Sequence, residues 1–192
     1  MSTSTISICN NALRKIGANV ITSLEQDTEE AKACKSIFQE TLDEMLAQYK
    51  WNFAMCRSRL ARLDSTPAFE YEYEYQLPTD PYCLTIRKVV NASDNVIEYK
   101  IEGRKLLTDT DGVYILYTKR VTDMNELTPL FKSALIYNLA SSLAMTLAED
   151  TATSNTMYQK HELVLRRARA QDAQEGTPDE LAEGSWITCR YT

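Results

Sequence analysis

From residue 69 to residue 77 the chain alternates strictly. Phe69, Tyr71, Tyr73, Tyr75 and Leu77 hold the odd positions, and Glu70, Glu72, Glu74 and Gln76 hold the even ones. A period of two is that of a strand with one buried and one wet face. The tyrosines predict an inner layer, and the glutamates a wet or subunit-facing side that resists edge-to-edge pairing. Pro78 and Pro81 close the pattern, because proline has no N–H to give to a ladder.

On both sides of this stretch the period becomes helical. Residues 4–16 carry Ile6, Cys9, Leu13 and Ile16 on one face, and Gly17 fits the left-handed position that ends many helices. Asp27 and Glu30 resemble a capping box for a second helix with Ala31, Cys34, Phe38, Leu42, Met45, Leu46 and Tyr49 along its stripe. Trp51 and Phe53 follow at once, either as a lid on the core or as an exposed contact surface. Residues 54–63 fit an extended run and a short helix equally well, and residues 64–67 are a break. Helical spacing returns at Thr128, an N-cap, with Pro129 at the first helical position. Phe131, Leu135, Leu139, Leu143 and Leu147 then recur every fourth residue, which marks the central helix. A last helix over about residues 154–173 turns Met157, His161, Val164, Leu165 and Ala168 inward.

Between these helical halves, residues 82–90, 96–102, 105–108 and 113–117 are further strands, and residues 109–112 are a hairpin turn. Connections this short imply antiparallel pairing. The predicted fold class is α+β: mainly an α-helical bundle of about four helices, discontinuous over residues 1–66 and 119–175. A small antiparallel β sub-domain is inserted over residues 67–118, and an extended C-terminal arm occupies residues 176–192. Periodicity stops in the arm, so its apolar residues need a partner surface on the same subunit or on a neighbour.

Composition adds little to this picture: 192 residues, 44% hydrophobic and 25% charged, are ordinary for one globular domain with a sub-domain. No run of about 18 apolar residues is expected to span a membrane, and the N-terminus lacks the pattern of a secretory signal. Cys9, Cys34, Cys56, Cys83 and Cys189 are dispersed without C-x-x-C spacing and read as small apolar fillers in a reducing compartment. The net charge of −6 speaks against a general grip on nucleic acid, but not against a channel through which DNA slides.

The residues point to no catalytic layout. One histidine, His161, cannot build a histidine metal cluster, and it lies on a regular amphipathic helix. No glycine-rich phosphate cradle is present. Glu70, Glu72 and Glu74 splay along a strand, and Asp109-Thr110-Asp111-Gly112 opens like a calcium loop but has no Glu at the twelfth position. No catalytic, cofactor or metal residue is expected. Arg57, Arg59 and Arg62 are assigned partners among the 27 acidic residues in preference to a nucleic-acid surface. The candidate interface residues are Trp186, Ile187, Arg190 and Tyr191 on the arm, with Trp51 and Phe53 at the helix end.

An ordered set of short motifs resembles the tail tubular protein A family, the head-to-tail adaptors of short-tailed bacteriophages. The set is Ala12-Leu13-x-x-Ile16-Gly17-Ala18, Glu29-Glu30-Ala31-x-x-Cys34, Trp51-Asn52-Phe53-Ala54, Tyr75-Gln76-Leu77-Pro78-x-Asp80, Glu102-Gly103 and Phe131-x-x-Ala134-Leu135. The likeness covers about residues 6–149. It implies a structural virion protein without cofactors, made in the host cytoplasm and placed at the head–tail interface. It implies a homo-oligomeric ring, usually of twelve copies, with the portal protein above and the tail nozzle below, away from any membrane. DNA would pass through the ring without sequence-specific binding. The residues also admit a phage binding module whose insert recognises a host-surface glycan or protein through Tyr71, Tyr73 and Tyr75, provided those rings are exposed.

Overall fold

A computed structural model describes residues 4–176, which form four helices and seven strands, an α+β architecture. Helix α1 (Thr5–Lys15) starts where Ser4 Oγ accepts the Ser7 N–H at 3.2 Å. It stops before Gly17, whose left-handed φ of 74° favours a residue without a Cβ. Helix α2 (Glu29–Gln48) is capped by Thr28, not by the Asp27–Glu30 pair read from the sequence. Thr28 is extended and its hydroxyl accepts the Ala31 N–H at 3.3 Å. Asp27 instead pairs with Lys32 at 2.7 Å, and Glu30 takes the side-chain amide of Asn19 at 3.0 Å. Helix α3 (Pro129–Ala148) opens on proline as expected. Helix α4 (Thr151–Asp172) starts one turn earlier than the periodicity predicts, because Asp150 Oδ1 accepts the N–H groups of Ala152 and Thr153, each at 3.0 Å.

Phe131, Leu135, Leu139 and Leu143 are all buried, and α3 touches each of the other three helices. It is the centre of the bundle. By length and composition it is also apolar enough to cross a bilayer, contrary to the sequence expectation. Leu13, Phe38, Leu42, Met45 and Leu165 close around it.

The β part begins at Met55, well before residue 67. After a single 3₁₀ turn at Asn52–Ala54, the undecided stretch is extended as β1 (Met55–Arg59) and β2 (Ala61–Arg62). Then come β3 (Tyr73–Gln76), β4 (Cys83–Val90), β5 (Lys100–Glu102), β6 (Lys105–Thr108) and β7 (Tyr114–Lys119). They make two antiparallel sheets, ordered β1-β7-β4 and β2-β3-β6-β5. Residues 109–112 are therefore not a hairpin turn: they carry the chain from one sheet to the other. Leu60, Tyr75, Leu77, Cys83, Leu106, Val113, Ile115 and Tyr117 form a second core, separate from that of the bundle.

The alternating stretch makes a shorter strand than its pattern predicts. Glu70 has a φ of 76°, and the Tyr71 N–H donates to Phe69 O across it at 3.0 Å, a γ-turn that breaks the extended run. Phe69 is left exposed, while Tyr75 and Leu77 are buried as expected. Glu74 is not on a wet face. It is buried and paired with Lys105 at 2.7 Å, with a second hydrogen bond from Ser65 at 2.9 Å. Those two donors hold its carboxyl below the usual range. The strand predicted over residues 96–102 is reduced to its last three residues; Val96 keeps only a single bridge to Val90.

Candidate interaction surface

Where the helical and β parts meet, a few side chains do the joining. Arg87 on β4 donates through Nη2 to Ala47 O and Tyr49 O, both at 2.8 Å, and through Nε to Thr118 Oγ1 at 2.9 Å. The two carbonyls belong to the end of α2, where the helix leaves its last C=O groups unpaired. Burial holds the Arg87 guanidinium below its ordinary pKa. Beside it, Arg120 pairs with Asp43 of α2 through both carboxylate oxygens. The Tyr82 ring lies between Arg104 and Arg120, with guanidinium carbons 4.0 and 4.4 Å from its centroid. Arg104 in turn donates to Cys83 O at 2.8 Å and to Pro78 O at 2.7 Å.

Trp51 and Phe53 sit in the same region. Trp51 is fully buried, donates its indole N–H to Met45 O at 2.9 Å, and meets Tyr49 and Phe131 edge-on with centroids 4.9 Å away. The interface role assigned to Trp51 is thereby corrected: it is a core residue with no surface to offer a partner. Phe53 is half-buried and packs on Phe131 at 5.1 Å. The other four interface candidates, Trp186, Ile187, Arg190 and Tyr191, lie outside the described residues, as does all but the first residue of the arm.

Next to Trp51, Asn52 fastens the end of α4. Its backbone N–H donates to the Asp172 carboxylate at 3.0 Å, and its side-chain amide donates to Asp172 O at 2.6 Å. Burial pushes the Asp172 carboxyl above its ordinary value of 3.8. The folded state thus binds this proton more tightly than the unfolded chain, so stability falls as pH rises from about 3.8 through the raised folded value. Asp172→Asn is expected to flatten that decline in urea titrations run from about pH 4 upward. Asp172→Ala is expected to cost about 1–3 kcal/mol at neutral pH, because the Asn52 N–H loses its acceptor. An unchanged pH profile in Asp172→Asn overturns the assignment.

Arg57, Arg59 and Arg62 are exposed and have no acidic partner among the described residues, contrary to expectation. Two rest on rings instead: Arg59 over Tyr114 at 5.9 Å and Arg62 over Tyr73 at 4.2 Å. Arg57, Lys88, Asn91, Asp94 and Tyr114 line a hollow of about 360 Å³ on the outer face of the first sheet. Lys88 is neutralised there by Asp94 at 3.3 Å.

The three tyrosines of the alternating stretch do not form an open stacking platform. Tyr75 is 1% exposed, its hydroxyl donates to Thr110 O at 3.0 Å and accepts the Gly112 N–H at 3.1 Å, and Tyr73 is covered by Arg62. His161 is buried with Nδ1 2.9 Å from Ala134 O. Cys9, Cys34 and Cys83 are buried as apolar fillers, and Cys56 is half-buried. The contact with Cys34 and burial push the Cys9 thiol upward. Among the described residues no group of three or more His, Cys, Asp and Glu is gathered.

No family model matches this chain, and no curated protein matches it.

Arg87, Arg120 and Asp172 are the joining residues that sequence reasoning did not find. The first bonds to backbone carbonyls about forty positions away, which no side-chain pattern reveals. Asn52 carried a signal through its place in Trp51-Asn52-Phe53-Ala54, although not the signal of its partner.

Proposed function

We propose that the protein is a head-to-tail adaptor of a short-tailed bacteriophage, a structural ring subunit between portal and tail nozzle. The observation that carries this reading is the ordered motif set from Ala12 to Leu135. Its two sharpest pieces fall at the joints of the fold. Trp51-Asn52-Phe53-Ala54 links α2, α3 and α4, and Pro78 takes the Arg104 guanidinium where the chain crosses between sheets. Placed at these joints, the set supports a reading in which its residues hold the frame together.

A closed ring needs two different lateral faces that fit one another. Two separate sets of exposed apolar side chains supply candidates: Phe69, Val96, Tyr99 and Ile101 in the β part, and Met145, Tyr158 and Leu163 on α3 and α4. The acidic balance suits a lumen that must not hold DNA.

Electron microscopy of the purified protein, alone and mixed with its cognate portal, tests the reading. Rings stacked on portal particles are expected in the mixture. A protein that stays monomeric and leaves portal particles unchanged sinks it. A glycan-binding module is the less favoured reading, because it requires Tyr71, Tyr73 and Tyr75 as an open platform and Tyr75 is buried.

A further inference from the structure

We propose that residues 177–192 seat along the free edge of β1 in the same chain. Among the described residues, strand β1 pairs with β7 on one side and with no strand on the other. The Leu60 N–H donates to Val113 O at 2.9 Å just past the ladder, which sets its alternation. Cys56 and Ser58 face β7, so the N–H groups of Arg57 and Arg59 point out of the sheet. An unpaired row of this kind is a template for another extended segment.

The same strand carries two exposed cations, Arg57 and Arg59. Arg57 and Arg59 have no carboxylate partner among the described residues. An anionic segment passing from α4 to β1 would pair with both arginines.

The chain supplies such a segment at the right place. The Asp172–Asn52 clasp fixes the end of α4 beside the turn that leads into β1. The chain still turns through Glu175, whose N–H donates to Asp172 O at 3.1 Å, so extended reach starts at Gly176. At about 3.3 Å per residue Glu183 reaches up to ~23 Å from it, while Arg57 lies within ~17 Å of Asn52 along its own strand. Asp179, Glu180 and Glu183 come first, and Trp186, Ile187, Thr188 and Tyr191 follow, residue types that favour strands. Tethering gives the segment a millimolar effective concentration at its own β1, which a second copy at micromolar concentration does not match. The seat does not depend on the adaptor reading.

Deleting residues 177–192 leaves α4 and its clasp whole, so the truncated chain is a fair comparison. Residue-resolved hydrogen exchange of the full and truncated chains tests the seat. The Arg57 and Arg59 amides are expected to exchange about tenfold or more slowly in the full chain. The double substitution Arg57→Glu/Arg59→Glu, verified as folded by circular dichroism, is expected to speed thermolysin cleavage near Ile187. Adding Asp179→Lys, Glu180→Lys and Glu183→Lys is expected to restore protection. Equal exchange at Arg57 and Arg59 in the full and truncated chains overturns the proposal, whatever the charge variants do. Protection that grows with protein concentration between about 1 and 100 µM also overturns it, by placing the segment on a second copy.

Discussion

Trp51→Ala is expected to lower the free energy of unfolding by about 3–5 kcal/mol, the range for deleting a large ring from a packed core. The indole is fully buried and lies within 6 Å of three other rings, those of Tyr49, Phe53 and Phe131. It also satisfies Met45 O near the end of α2, so alanine leaves both a void and an orphaned carbonyl. Domains of this size hold a total of only about 5–15 kcal/mol, so the variant stands at the edge of folding. Urea denaturation followed by circular dichroism reads the loss. Trp51→Phe, which keeps most of the packing and loses the indole N–H, is expected to fall between the two. A loss below about 1 kcal/mol in Trp51→Ala would contradict a core role and return the ring to the surface.

The second large effect is expected at Arg87. Arg87→Met keeps much of the aliphatic length and removes three hydrogen bonds from a charged donor. Bonds of that kind contribute about 1.5–3 kcal/mol each but overlap when they share one group, so a loss of about 2–4 kcal/mol is expected. The pattern of the loss matters more than its size. Arg87 ties β4 to the end of α2, so its removal should let the β part open before the bundle. Far-ultraviolet ellipticity and tyrosine fluorescence would then give urea transitions that no longer coincide. Arg87→Lys should recover part of the stability and none of the fork, since one ammonium does not span both carbonyls and Thr118. Coincident transitions in Arg87→Met would place the coupling elsewhere, with Arg120 and Asp43 as the next pair to change.

The helices were legible because their signals are local. Phe131, Leu135, Leu139 and Leu143 recur at the spacing of a turn, and proline and glycine mark their ends. The two-part organisation was legible because the period changes from 3.6 to two and back. What escaped the sequence depends on contacts between distant residues. Glu74 looked like a wet-face glutamate until Lys105 and Ser65 closed on it. Glu70 fits an alternating pattern by residue type, while its backbone turns the other way. Arg59 and Arg62 were assigned carboxylates and found rings, and Arg57 found neither. Asp27 was the better cap on paper, but Thr28 is the residue whose hydroxyl meets the Ala31 N–H. For the candidate surfaces, the sequence ranked Trp51 by its size and position at a helix end, and burial has removed it.

The separation of the bundle's two halves along the chain has a consequence for how the protein is made. Helices α3 and α4 are joined by a short turn and pack closely, so their hairpin needs little loop closure. Helices α1 and α2 touch one another far less than they touch α3, which lies beyond the whole β part. Their apolar stripe, with Leu13, Phe38 and Leu42, has no cover until α3 has been synthesised. Contacts of such sequence separation slow folding. A nascent chain paused before residue 129 is therefore expected to present two sticky helices and a finished pair of sheets, and to be the species that chaperones hold longest.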